Sequence, residues 1–129
     1  MAIIKEEIRL VVVDDDPIIL DVFSKMIKQV RYHADFFISP TEALETIMAH
    51  PKRYNLMITD ICMPQDDGIA FAKKVRAANP DLPVMFMTGG ATPEKKEEAL
   101  SLGRVTFLEK PFPLIQVLGE NIALFIENK

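Results

Sequence analysis

Two rhythms of apolar and polar residues alternate along the chain. Short runs rich in apolar residues recur at 8–13, 32–38, 55–59, 84–87 and 105–108. Between them apolar positions return every three or four residues. Near-continuous apolar runs such as 10–13 and 84–87 predict strands covered on both faces, and the longer period predicts amphipathic helices. Asp16-Pro17 opens the first helix, since an aspartate caps free amide groups and a proline in the first turn forfeits no hydrogen bond. Ile18, Ile19, Val22, Phe23, Met26, Ile27 and Val30 make one broad apolar face on it. Ser39-Pro40-Thr41-Glu42 is a capping-box pattern for a second helix carrying Ala43, Leu44, Ile47 and Met48, closed at His50-Pro51. A third helix is predicted over 69–78. The fourth, over 93–102, is mostly Glu and Lys, with Ala99, Leu100 and Leu102 as its anchors. Its hold on the sheet should be weak, and it is the element expected to move. A last amphipathic helix ends near Lys129, with Gly119 as an internal weak point.

Five strands, each followed by a helix, define an α/β fold: a doubly wound parallel sheet with helices on both faces. In such sheets ligands bind beyond the carboxyl ends of the strands. The residues at those ends are Asp14-Asp15-Asp16, Asp60, Thr88 and Lys110, so carboxylates, a hydroxyl and an ammonium converge on one rim.

Composition narrows the picture. A length of 129 residues, with 49% hydrophobic and 26% charged residues, suits one compact domain spanning 1–129. A formal net charge of −4 leaves no electrostatic footprint for nucleic acid or an anionic membrane. No apolar run approaches the ~20 residues of a spanning helix, and the first residues lack a secretory pattern. The single cysteine, Cys62, excludes an internal disulfide and suits a reducing compartment. The expected location is the cytoplasm.

Carboxylates crowded on one rim repel, and a divalent cation relieves the repulsion. An all-oxygen ligand set selects a hard ion, Mg²⁺ with Mn²⁺ as the alternative, over Zn²⁺. A positioned carboxylate can take up a phosphoryl group as a nucleophile, while a hydroxyl and an ammonium stabilise the spreading charge.

Four segments carry a resemblance over nearly the whole chain: Val-Val-Val-Asp-Asp-Asp-Pro (11–17), Ile-Thr-Asp-Ile-Cys-Met-Pro-Gln-Asp-Asp-Gly (58–68), Met-Thr-Gly (87–89) and Phe-Leu-Glu-Lys-Pro-Phe (107–112). In this order the sequence resembles a receiver domain of two-component response regulators, of the chemotaxis-regulator kind. The resemblance implies a flavodoxin-like sheet of strand order 2-1-3-4-5. It implies Asp60 as phosphoacceptor, and Asp14, Asp15, Asp60 and the Cys62 backbone carbonyl as Mg²⁺ ligands. Thr88 corresponds to the switch hydroxyl, Lys110 to the lysine that pairs with the phosphoryl group, and Phe107 to the aromatic switch residue. The Lys110-Pro111 bond is often cis in such proteins. A sensor histidine kinase or histidine phosphotransfer protein is the implied donor. The implied outputs are a downstream effector protein or domain, and a homodimer, at the surface of the fourth helix, fifth strand and fifth helix. An enzyme in the ordinary sense is not implied.

Four positions bear on how the chain compares with the family pattern. Phe107 stands where the family often has Tyr, removing a phenolic hydroxyl. Asp66 replaces a usual apolar residue, and Cys62 and Gly90 are small uncharged residues at positions that influence acyl-phosphate lifetime. Asp16 reads as a helix cap, and Asp66 and Asp67 as loop solvation and a cap for the third helix. Lys95-Lys96-Glu97-Glu98 reads as a solvated helical face. Cys62 reads as inert, and His33 and His50 as surface residues. Two other functions compete: a haloacid-dehalogenase-like phosphohydrolase with Asp14 as nucleophile and Asp16 as acid-base, and a receiver-fold scaffold that works without phosphorylation.

Overall fold

The structure, a computed structural model, describes residues 7–63, 66–110 and 115–127. Ten elements make the body of the fold: β1 (Arg9–Val13), α1 (Pro17–Gln29), β2 (His33–Phe37), α2 (Pro40–Ala49), β3 (Leu56–Asp60), α3 (Gly68–Ala78), β4 (Val84–Thr88), α4 (Pro93–Leu100), β5 (Val105–Glu109) and α5 (Ile115–Glu127). A two-residue antiparallel ladder, Cys62–Met63 with Asp66–Asp67, lies between β3 and α3. The five strands form one parallel sheet in the order β2-β1-β3-β4-β5, the order the resemblance implied. Since β1 has β2 on one side and β3 on the other, the connections diverge there and leave a crevice at the carboxyl ends of β1 and β3.

Period-two alternation splits the strand side chains between two cores. Val11, Val13, Met57, Val84 and Phe86 pack on one face with Ala43 and Ile47 of α2, Phe71 and Val75 of α3, and Ala99 of α4. Leu10, Val12, Leu56, Ile58, Met85 and Met87 pack on the other with Phe23 and Ile27 of α1 and Ile122 and Ile126 of α5. Each of these Val, Leu, Ile, Met and Phe side chains contributes about 1.5–3 kcal/mol when taken from water. The central strands therefore carry apolar residues at nearly every position, with Thr59 of β3 a buried exception, which explains their near-continuous runs.

Helix boundaries follow local chemistry. Asp16, Ser39 and Asp67 cap α1, α2 and α3 through bonds accepted from Ile18, Glu42 and Ile69 amides, and Thr92 caps α4. Asp67 does so as expected; Asp66's side chain lies outside the described residues, as do residues 111–114, the Lys110-Pro111 bond and residues 128–129, where the final helix is expected to end. The apolar stripe of α1 is narrower than its sequence suggests. Leu20, Phe23 and Ile27 are buried, whereas Ile18 is 71% exposed and Val22 43%. A helix seated on a twisted sheet buries one stripe, and Ile18 and Val22 fall beyond its edge. In α4 only Ala99 is buried, Leu100 is 54% exposed, and the helix ends at Leu100 rather than 102. A left-handed turn at Gly103 and Arg104 follows.

Two side chains fasten distant segments. Arg76 of α3 donates to the Leu82, Leu102, Gly103 and Arg104 carbonyls at 2.5–3.0 Å, tying the turn after α4 to the turn before β4. Tyr32 donates to the Gly119 carbonyl at 2.6 Å, and a Cβ at Gly119 would lie 2.9 Å from Val30 Cγ1. The glycine expected to weaken α5 is thus what lets α5 approach α1. Among the described residues, no helix is long and apolar enough to cross a membrane.

Candidate functional site

Four of the five strands bring the candidate site together, with residues at or directly after their carboxyl ends. β1 delivers Asp14, β3 ends on Asp60 and β4 on Thr88, with Lys110 directly after β5. Asp14 is held from both sides: its amide donates to the Phe37 carbonyl at 3.1 Å, and its Oδ1 accepts from the Asp16 amide at 2.9 Å. It is 1% exposed, and its Oδ2 is the one buried side-chain polar atom without a hydrogen-bond partner among the described residues. Asp15, next to it, is exposed. Carboxylate oxygens of Asp14, Asp15 and Asp60 all lie within 4.8 Å of one another.

Lys110 Nζ stands 3.5 Å from Asp60 Oδ2 and 3.8 Å from Asp14 Oδ2. Lys110 pairs with two of the three clustered carboxylates, and the cluster keeps a formal excess of two negative charges. Burial, reinforced by the Asp60 charge and against the pull of the Asp16 amide and Lys110, raises the Asp14 carboxyl from 3.8 to about 6. The arrangement fits one divalent cation: the donors are hard oxygens, the uncompensated charge is two, and a buried carboxylate oxygen has no hydrogen bond to satisfy it.

Asp60 Oδ1 accepts from the Cys62 amide at 3.1 Å, which brings the Cys62 peptide beside the carboxylate. The Cys62 side chain is free and exposed. Gly68 closes the site from below: a Cβ there would fall 2.1 Å from the Asp60 carbonyl oxygen, so only glycine permits this approach. Thr88 is buried, and its Oγ1 accepts from the Gly90 and Ala91 amides at 3.2 and 2.8 Å. The Lys110 amide donates to the Thr88 carbonyl at 2.8 Å, so the hydroxyl and the lysine are held by one backbone link. Phe107, half-buried on β5, stacks on Phe86 with ring centroids 6.2 Å apart.

The site residues expected from sequence therefore converge, and Asp16 is set apart from them. Its Oδ1 accepts from the Ile18 amide at 2.9 Å, so it serves as the cap it was read to be and not as the acid-base partner a phosphohydrolase would need. His33 and His50 are exposed. The Lys95-Lys96-Glu97-Glu98 face remains in contact with solvent, with both lysines more than a third exposed, but its lysines are paired. Lys95 pairs with Asp67 at 3.3 Å, Lys96 pairs with Glu109 at 3.2 Å and lies 5.8 Å from the Phe107 ring centroid. The sequence signal for these contacts was only a pair of lysines on an otherwise acidic helix.

A parallel sheet of this order, with an acidic crevice flanked by a hydroxyl and a lysine, defines a class of phosphoryl-accepting signalling domains. The response regulator receiver domain matches residues 10–120, and the chain belongs to that family. The response regulator receiver protein CpdR of Brucella abortus is 30% identical over 112 residues, 87% of this chain and 92% of that one. ARR21 of Arabidopsis thaliana is 34% identical over 105 residues, 81% of this chain, but the chain spans only 17% of its length. Among solved structures, a CheY-like receiver domain protein from Methanospirillum hungatei superposes with a TM-score of 0.82 at 25% identity, covering 93% of this chain and 94% of that one. The chain is a phosphoacceptor receiver domain of two-component signalling, a family whose members bind Mg²⁺ at an acidic site and interact with kinases and effectors.

Proposed function

We propose that residues 1–129 act as one receiver unit in which Asp60 accepts a phosphoryl group, and that the cation held by Asp14, Asp15, Asp60 and the Cys62 carbonyl is Mg²⁺. The observation that carries this reading is the meeting of three carboxylates within 4.8 Å with Lys110 at 3.5 Å from Asp60. Mn²⁺ satisfies the same donors. Such an ion supplies charge neutralisation for the carboxylates and for the oxygens of an incoming phosphoryl group.

An Asp60 carboxylate oxygen attacks the phosphorus of a phosphohistidine. The new oxygen–phosphorus bond forms as the phosphorus–nitrogen bond breaks, and the departing imidazole keeps the electron pair and takes a proton from solvent. Lys110, as a fixed positive charge, meets the charge that spreads over the phosphoryl oxygens. Thr88 accepts two amide bonds at rest, and its own hydroxyl proton is left to donate to the phosphoryl group. Movement of Thr88 towards Asp60 makes room for Phe107 to turn inwards and changes the α4, β5 and α5 surface, a population shift between two states.

The donor is a sensor histidine kinase or a histidine phosphotransfer protein in the cytoplasm. Ile18 and Val22 on α1, with Ile38 after β2, are exposed apolar residues at the site end of the sheet and supply contact area for it. A downstream effector docks on α4, β5 and α5, where a second copy of the chain is the competing occupant. Light scattering with and without a phosphoryl mimic separates these, since only the copy doubles the mass.

The deciding experiment is intact mass after incubation with acetyl phosphate. Wild type gains one phosphoryl group with Mg²⁺ and none with chelator, and Asp60→Asn gains none. A label that persists in Asp60→Asn but not in Asp14→Asn would overturn the assignment in favour of phosphohydrolase-like chemistry. Absence of any adduct, together with no binding of beryllofluoride, would identify a phosphorylation-independent scaffold.

A further inference from the structure

The fourth helix buries little apolar surface. Its one buried side chain is Ala99, too little apolar surface to fix a helix of this length. Three ion pairs fasten it instead: Lys95 to Asp67 before α3, Lys96 to Glu109 on β5, and Glu98 to Lys73 on α3. Lys96 also approaches the Phe107 ring at 5.8 Å, within cation–π range.

The two ends of α4 are held differently. Beyond the carboxyl end, the Arg76 guanidinium grips the Leu102, Gly103 and Arg104 carbonyls. At the amino end a short chain of bonds leads back to the site. Thr88 Oγ1 accepts from the Gly90 and Ala91 amides, the next residue, Thr92, caps α4, and Lys95 lies in the first turn. Any displacement of Thr88 pulls on that loop and hence on the amino end of α4. Asp67, on the other side of the Lys95 pair, does not share in the pull. It caps α3 through the Ile69 amide, and its neighbour Gly68 is packed on the Asp60 backbone.

We propose that the Lys95–Asp67 ion pair, backed by Lys96 against Glu109 and Phe107, is an autoinhibitory latch that holds α4 in its resting position, with the Arg76 clamp as the pivot. This rests on the receiver reading of the site. At rest the latch opposes the movement of Thr88 towards Asp60, and so lowers affinity for anything that mimics the phosphoryl group. Because the pairs are partly exposed, salt weakens them. Lys73–Glu98 lies nearest the pivot, where little travel occurs, and contributes little to the latch.

The test is Mg²⁺-dependent beryllofluoride binding, read by fluorine resonance, for wild type, Lys95→Ala, Lys95→Arg, Lys96→Met and Lys73→Ala. Expected is tighter binding by about two- to fivefold for Lys95→Ala, a smaller gain for Lys96→Met, and wild-type affinity for Lys95→Arg and Lys73→Ala. Added salt should bring wild type towards Lys95→Ala. In the absence of beryllofluoride, backbone amide resonances of α4 in Lys95→Ala should lie part way along the line from free to bound wild type. Equal gains from Lys73→Ala and Lys95→Ala would show a helix loosened generally and would overturn the latch, as would unchanged affinity in Lys95→Ala. Wild type that binds beryllofluoride while every variant matches it defeats the latch alone. Wild type that fails to bind it defeats the receiver reading and the latch together.

Discussion

Replacing Asp14 with asparagine should make the metal-free protein more stable at neutral pH, although it removes a residue of the site. The folded carboxyl is raised from 3.8 to about 6 by burial, which corresponds to about 3 kcal/mol at about 1.4 kcal/mol per decade. The sign follows from where the proton sits. Below about pH 4 both folded and unfolded chains hold it, and folding bears no penalty. Between about pH 4 and 6 the unfolded chain releases its proton first, so stability falls as pH rises; above about 6 the full penalty persists. Asparagine keeps the Oδ1 that accepts from the Asp16 amide but places an amide donor 3.8 Å from the Lys110 ammonium, a mismatch costing about 1–2 kcal/mol. The net gain is then about 1–2 kcal/mol, or roughly 4–8 °C in melting temperature for a chain of this size. Urea unfolding with chelator at neutral pH and near pH 4 measures it. The gap should be present at neutral pH and gone or reversed near pH 4. Mg²⁺ at tenfold over its dissociation constant should add about 1.4 kcal/mol to wild type and less to the variant. An Asp14→Asn variant no more stable than wild type at neutral pH, or a gap unchanged near pH 4, would refute the buried-charge account.

Gly68→Ala forces a Cβ to within 2.1 Å of the Asp60 carbonyl oxygen, a clash with backbone, and should cost about 3 kcal/mol in urea unfolding along with phosphorylation by acetyl phosphate. Arg76→Met strips four carbonyls of their donor; the expected loss is about 2–4 kcal/mol, and Arg76→Lys should recover only a small part because an ammonium lacks the planar fork. The chain has two tyrosines and no tryptophan, so phenolate absorbance reports them directly. Burial, with the hydrogen bond to Asp35 at 2.5 Å, pushes Tyr54 up to about 12, and burial also raises Tyr32. Both should titrate above 10, and Tyr54→Phe should remove the later step and about 1 kcal/mol of stability.

The alternation of strands and helices was legible because each central strand, buried on both faces, leaves a run of apolar residues that no exposed segment would carry. Caps were legible for the same local reason: Asp16, Ser39 and Asp67 act within three residues of themselves. The site was legible because a parallel sheet carries its ligand-facing residues at the strand ends, where Asp14, Asp60, Thr88 and Lys110 interrupt or follow apolar runs. Even Gly68 was marked by the motif that contains it, though its reason, the closeness of the Asp60 carbonyl, was not.

Tertiary structure alone decided the rest, since the deciding partners are far apart in the chain. Asp14 and Asp15 are the same residue type side by side; the sheet carries on to Asp14, whose amide pairs with the Phe37 carbonyl of β2 and which is 1% exposed, while Asp15 is left at the surface. Ile18 and Val22 look like Phe23 and Ile27 by spacing, and the seat of α1 on the sheet separates them. Lys95 and Lys96 read as a solvated face, and their pairing shows only once α3 and β5 place Asp67, Glu109 and Phe107 against them. Arg76 carries no motif, because its acceptors are backbone carbonyls 6 to 28 residues away. By itself the sequence determined what lies within a few residues or repeats with the period of an element, because local backbone geometry and burial act at that range. Which of two like residues is buried, which charges meet and what holds α4 were decided by contacts that exist only once the sheet has brought its strands together.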